Sequence, residues 1–347
     1  MADSTPLRFL EKAGTGTGFQ PDDFDLALKM FSGQVLDAFY RKTVFWDDMG
    51  TVMAVQQIDA GSSHQWPIFG KENEPEYHEP GVELLGKTFK MDEAVITIDN
   101  ILVDHVDLPV ADLNVAHFDP AGKVATKLGH ALAKKFDTHS AIVGLNAART
   151  AAVSGIHDGG NQVTRTAADV ATAYPNSTTG ANNFRDDVAQ LAYQMDEDNV
   201  PEDGRYLYIG PYMRQILSRH ATDIFNRDFG PGSEMNDLNS RRLGMISGFN
   251  VMFTNALPST NVTTSGLTPA KYGGNFTAGG SDDQPVALCL CGAQEGSAAI
   301  GVVTALGITP HMSPDPRRNT IFMKAQAQLG MGVLAPWCAG SVGVSTT

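Results

Sequence analysis

The most informative stretch is DPAGKVATKLGHALAKKFDTHSAIVGLNAART, residues 119–150. Val124, Leu128, Leu132 and Phe136 recur every four residues, and Ile142, Val143 and Leu145 carry the apolar stripe onward. That spacing is helical. Alanines fill the gaps, and alanine has the strongest helix propensity. Asp119 suits an N-cap and Pro120 the first helical position. The run reaches about Arg149 and ends near Ser154 and Gly155. About 30 residues at 1.5 Å each make a rod of roughly 45 Å, a beam across a domain.

Upstream, the pattern changes. From Pro21 to Phe45 the positions Phe24, Leu28, Phe31, Val35 and Phe39 predict a helix, with Asp22 and Asp23 at its favourable end. Residues 1–20 are polar and glycine-spaced, an arm. Residues 49–105 read as a long two-stranded excursion. Trp66, Ile68 and Phe69 lie on the outgoing limb, and Val95, Ile96, Thr97 and Ile98 form a β-branched return. Between the limbs lies a tip rich in glutamate and proline. An isolated hairpin is marginal in water, so this one is expected to lie on its own core or on a neighbouring subunit.

Downstream, residues 154–182 are rich in Gly, Asn, Thr and Ser and read as a loop or boundary. An amphipathic helix is expected from Asn183 to Asp198, with Phe184, Val188, Leu191 and Met195 on one stripe. Strands are expected over 206–209, 249–253 and 286–291, a helix over 211–221, and a loop over 258–283. Residues 298–308 and 320–334 read as strand-rich, followed by a glycine-spaced tail. The class is α+β, with two intertwined domains and no internal repeat.

Composition narrows the function. The chain has 347 residues, 42 % of them hydrophobic and 18 % charged, which suits a folded protein with a sizeable core. Its 25 basic and 39 acidic side chains leave a net charge of −14, which disfavours sequence-independent gripping of DNA. Cys289, Cys291 and Cys338 give an odd count, so no disulfide framework is implied and a reducing compartment fits. No signal peptide and no membrane-spanning apolar run are read in the chain.

The residues from Gly81 to Thr88, GVELLGKT, match the phosphate-loop pattern G-x-x-x-x-G-K-[ST]. Such a loop needs a buried strand before it and a helix after it. Here an acidic, proline-broken segment precedes it and a β-branched strand follows, so a turn in the arm is the simpler reading. No H-E-x-x-H pairing or nucleophile elbow occurs. The acids at Asp196, Glu197, Asp198, Glu202 and Asp203 have no calcium-loop spacing. No catalytic, metal or cofactor site is expected. The chain is not read as an enzyme.

The order of segments resembles the major capsid proteins of tailed phages with the Hong Kong 97-type fold, and specifically the coat proteins of T-seven-like short-tailed podophages. The residues that carry the likeness are Trp66-Pro67-Ile68-Phe69-Gly70 with Tyr77-His78-Glu79-Pro80-Gly81, then Val95-Ile96-Thr97-Ile98-Asp99. His117-Phe118-Asp119 with Leu128-Gly129 and Leu132-Ala133 follow. Arg205-Tyr206-Leu207-Tyr208-Ile209, Gly248-Phe249-Asn250-Val251, Ala299-Ile300-Gly301-Val302-Val303 and Leu329-Gly330-Met331-Gly332 complete the series.

The resemblance implies an N-terminal arm over 1–45 and an extended loop over 46–105. It implies a peripheral domain over 106–204 and 299–347, with a spine helix at 119–150, and an axial domain over 205–298. It implies a structural, self-assembling subunit of the virion, built into hexamers and pentamers of an icosahedral head around packaged double-stranded DNA. Assembly would take place in the host bacterial cytoplasm, with a separate scaffolding protein and a portal, and with room for cement proteins. Candidate subunit contacts are Trp66, Ile68, Phe69, Tyr77, Pro80 and Gly81. On this reading Trp66→Ala impairs assembly more than folding. Two alternatives stand beside it: a nanocompartment shell of the same fold, and an NTPase using Gly81 to Thr88.

Overall fold

A computed structural model of the chain describes residues 34–39, 43–45, 52–71, 73–81, 83, 85–115, 120–220, 244–264, 267–278, 283–292 and 298–346. Of the helix expected from Pro21 to Phe45, the described residues show a helical run at 34–39, while 43–45 are not helical and the rest lies outside them. Asp119 lies outside them too.

In chain order the strands and helices are β1 (Met53–Gln57), β2 (Ser63–Phe69), β3 (Met91–Thr97), β4 (Leu102–Pro109), α1 (Val110–Val115) and α2 (Pro120–Ala148). Then come β5 (Asn161–Thr166), α3 (Val170–Ala173), α4 (Thr178–Glu197), β6 (Arg205–Ile209), α5 (Pro211–His220), β7 (Met245–Ile246) and β8 (Phe249–Phe253). The last are β9 (Asn261–Val262), β10 (Gly274–Asn275), β11 (Gln284–Cys291), β12 (Ile300–Asp315), β13 (Thr320–Val333) and β14 (Ala339–Ser345).

The chain divides into two compact units. One takes the described residues of Met1–Thr43, Ile101–Lys135 and Leu306–Gln328. Here β4 runs antiparallel to β13, from Thr320 opposite Pro109 to Ala327 opposite Leu102. Side chains along β4 alternate between half-buried and exposed, as a strand with one covered face requires. The helical run at 34–39 lies close against α2 at Gly129. A Cβ there would stand 2.5 Å from the Val35 carbonyl oxygen.

The other unit takes the described residues of Val44–Asn100, Phe136–Ala305 and Leu329–Thr347. Its core is a six-stranded mixed sheet ordered β5-β14-β11-β6-β8-β7. From Pro285 onward β11 is buried at every position, a strand covered on both faces. Leu288 and Leu290 point to one side, within 3.0–3.2 Å of where a Cβ on Gly144 of α2 would sit. Cys289 points to the other side, its sulfur 3.7 Å from Met195 Sδ of α4. The period of two thus places the sheet between two helices. The C-terminal half of α2 is buried nearly all round, at Phe136, Ser140, Ile142, Val143, Leu145 and Ala148.

Three expectations need correction. The segment 154–182 is not a loop throughout: it holds β5, α3 and the first turn of α4, whose N-cap is Ser177, accepting from Gly180 N–H. The glycine-spaced tail is strand β14, paired on both sides within the sheet. Its glycines are demanded by packing, since a Cβ on Gly340 would stand 2.8 Å from Leu191 Cδ1. The loop at 258–283 contains the short pair β9 and β10 and a 3₁₀ turn at Ala270–Tyr272.

Candidate assembly interface

Strands β2 and β3 form the expected excursion, antiparallel from Ser63 opposite Thr97 to Phe69 opposite Met91. Both of its roots are tied down. Where the chain enters, buried Asp137 of α2 accepts backbone N–H groups from Val44 at 3.1 Å and Phe45 at 3.4 Å. Phe45 stacks on Tyr208 at 4.4 Å. Where the chain leaves, Asp99 accepts from the Tyr272 hydroxyl at 2.5 Å and pairs with Lys271 at 2.9 Å. Burial, then Asp99, pushes the Tyr272 hydroxyl up.

Burial lifts the Asp137 carboxyl from 3.8 to about 6, and the two amides offset only part of that. The folded chain therefore holds this proton more tightly than the unfolded chain. The group's contribution to stability falls as pH rises from about 4 to about 6. The displacement is worth about 3 kcal/mol. Asp137→Asn removes the titration. Urea unfolding is expected to show the variant gaining about 3 kcal/mol on the natural chain between about pH 4 and about pH 7. A pH-independent difference between the two would refute the assignment.

The inner face of the hairpin carries His64, Trp66 and Ile68, all half-buried, with Ile96 only 3 % exposed. His64 meets Trp66 edge-on at 4.4 Å. Their seat is paved with glycine. A Cβ on Gly301 would stand 2.6 Å from Ile96 Cδ1, one on Gly332 2.8 Å from Ile96 Cγ1, and one on Gly330 2.1 Å from the Thr97 carbonyl oxygen. Further out, Lys71 pairs with Asp158 at 2.5 Å and Lys90 Nζ donates to the Ser154 carbonyl at 3.1 Å.

The outer face and the tip present apolar groups to water. Phe69 is 66 % exposed, Leu85 83 %, Phe89 57 % and Met91 59 %, and Tyr77 and Val95 are exposed as well. The six candidate contacts are therefore split: Trp66 and Ile68 turn toward their own chain, while Phe69, Tyr77, Pro80 and Gly81 face solvent. Leu85, Phe89, Met91 and Val95 were not among the expected contacts. The signal for Met91 and Val95 was the strand alternation, which sets them opposite Phe69 and Gln65 on the outer side.

The phosphate-loop pattern does not make a cradle. Its described residues include no helix, and β3 follows. Lys87 pairs with Glu76 at 2.7 Å and donates to the Glu74 carbonyl at 2.7 Å. An anion site needs that ammonium and converging N–H groups. Among the described residues no three His, Cys, Asp or Glu side chains gather as metal ligands, and no helix is long and apolar enough to cross a membrane.

Residues 65–343 match a family model described as Gp10A-like, major capsid protein. The major capsid protein of Escherichia phage T7 is 34 % identical over 128 residues, which are 36 % of this chain and 35 % of that protein. The match thus spans about a third of that curated relative. A capsid structure of cyanophage P-SCSP1u is similar over 100 % of both chains, at 30 % identity and a TM-score of 0.73. A chain of the bacteriophage PhiM1 mature capsid has the same fold, with a TM-score of 0.69 over 97 % of this chain and 91 % of that one, at 16 % identity. With these matches the α+β architecture is of the Hong Kong 97 type, and the chain belongs to the Gp10A-like major capsid protein family.

Proposed function

We propose that this chain is the repeating tile of an icosahedral phage head, set in hexamers and pentamers around packaged double-stranded DNA. Its role is structural, and it acts as a component of the virion. The observation that carries the reading is the outer face of the hairpin. Phe69, Leu85, Phe89 and Met91 are each more than half exposed in the single chain. The tip that bears Leu85 and Phe89 is joined to the body by a hairpin anchored at both roots. A neighbouring copy covers that face, which gives the apolar side chains the burial they lack alone.

The division of labour follows the family pattern: residues 1–45 as the arm, 46–105 as the extended loop, 106–204 with 299–347 as the peripheral domain, and 205–298 around the capsomer centre. A scaffolding protein and a portal act during assembly.

The test is electron microscopy of the purified chain, expressed alone and with a scaffolding protein. Closed shells are expected. Dispersed single chains at high concentration under both conditions would overturn the reading. Particles from infected cells are expected to protect double-stranded DNA from nuclease. Particles filled with an enzyme cargo would replace the head with a nanocompartment.

A further inference from the structure

Cys291 and Cys338 stand at the same end of one strand pair. Strands β11 and β14 run antiparallel with Leu290 opposite Ala339 as the last pair, so Cys291 follows that pair in β11 and Cys338, the last residue of the 3₁₀ turn Pro336–Cys338, comes just before it. The side chains meet as well, since the Cys338 thiol hydrogen-bonds to the Cys291 sulfur. Both are fully buried, and no disulfide joins them in this structure. Cys289 is placed differently: it lies opposite Gly340, and its sulfur is turned to Met195 Sδ.

The pair is also chemically asymmetric. The hydrogen bond from Cys338, and then the Arg205 guanidinium and the Gly292 N–H, hold the Cys291 thiol below its ordinary range against the effect of burial. Burial pushes the Cys289 thiol up. The thiolate is the attacking form of cysteine, which favours Cys291 over Cys289 as the nucleophile.

We propose that Cys291 and Cys338 form an oxidisable pair, which hydrogen peroxide closes to a disulfide that staples β11 to the start of β14. The Cys291 thiolate attacks one peroxide oxygen and the O–O bond breaks. The departing hydroxide takes up the proton that Cys291 released and leaves as water. The Cys338 sulfur then attacks the Cys291 sulfenic acid, the S–O bond breaks, and the hydroxyl leaves as a second water with the Cys338 proton. Two thiols lose two electrons, and one peroxide is reduced to two waters. Peroxide is small enough to reach a buried pair that a glutathione disulfide would not enter. A particle leaving a thiol-rich compartment would acquire this staple without an enzyme. The chemistry does not depend on the shell reading.

The experiment treats the native, full-length chain with peroxide, quenches with catalase, denatures, and labels free thiols with N-ethylmaleimide. Mass spectrometry is expected to show one label where the untreated chain, with its three cysteines, takes three. Before labelling the oxidised chain should be lighter by two hydrogen atoms. Peptide mapping should join Cys291 to Cys338, and dithiothreitol should reverse the change. In Cys338→Ser the bridge should vanish, and dimedone should trap a sulfenic acid at Cys291. Three labels after oxidation, a bridge through Cys289, or oxygen added at Cys291 of the natural chain without a bridge would each overturn the proposal.

Discussion

Leu85→Asp combined with Phe89→Asp is expected to leave the single chain folded and to abolish closed particles. Leu85 is 83 % exposed and Phe89 57 % exposed, so a carboxylate at either site stays in water. Folding stability should move by no more than about 0.5 kcal/mol. In the shell, burying each original side chain is worth about 1.5–3 kcal/mol, so losing both removes about 3–6 kcal/mol from every contact. Carboxylates covered by a neighbour without a partner add a further penalty. At a tenfold change for each 1.4 kcal/mol, every contact weakens by at least about a hundredfold, and a ring of such contacts compounds the loss. Thermal melting by circular dichroism reads the fold, and electron microscopy reads the particles. A normal particle yield would remove this face from the interface.

Trp66→Ala supplies the contrasting case. Its ring lies 3.5 Å from where a Cβ on Gly301 would sit, on the face turned to its own chain. A half-buried Trp removed from that seat should lower folding stability by about 2 kcal/mol. Taken from the sequence alone, Trp66 and Phe69 belong to one aromatic cluster. Strand alternation puts them on opposite faces of β2, but which face turns inward is set by what the strand packs against.

The same contrast explains what was legible in the sequence and what was not. The helix α2 stood out because its period, its alanines and Pro120 all agree. Strand β11 was visible as a short apolar run of leucine, alanine, valine and cysteine between polar segments. Strand β14 was not, because Gly340 and Gly343 carry poor strand propensity. There the close approach of Leu191 to Gly340 overrode local preference. Strand β5, NQVTRT, is too polar to announce itself, and its pairing with β14 joins residues far apart in sequence. The hairpin's existence was readable from two strand-like limbs and a proline-rich tip. Its inner and outer faces were not, since the glycine seat that defines the inner face comes from Gly301, Gly330 and Gly332, more than 200 residues downstream.

Gly330→Ala tests that seat directly and is expected to be among the most destabilising single substitutions in the chain. A Cβ there would stand 2.1 Å from the Thr97 carbonyl oxygen, 2.9 Å from the Thr97 carbonyl carbon and 3.0 Å from Ile98 Cα. All three are backbone atoms, so no side-chain rotation relieves the clash. Either β13 or the root of the hairpin must shift, and Asp99 N–H, which donates to the Leu329 carbonyl at 3.4 Å, shifts with it. The overpacking cost is about 3 kcal/mol. For a chain of this size, with about 2.1 cal/mol/K of unfolding entropy per residue, that should lower the melting temperature by about 4 °C. Gly86→Ala is the control, because a Cβ at Gly86 meets nothing within 4 Å and should leave the transition unchanged. Because the hairpin root sets the direction in which Leu85 and Phe89 are offered to a neighbour, Gly330→Ala should also lower particle yield at temperatures where the chain is still folded. A melting temperature equal to that of Gly86→Ala would show that the hairpin does not rest on β13 at this point.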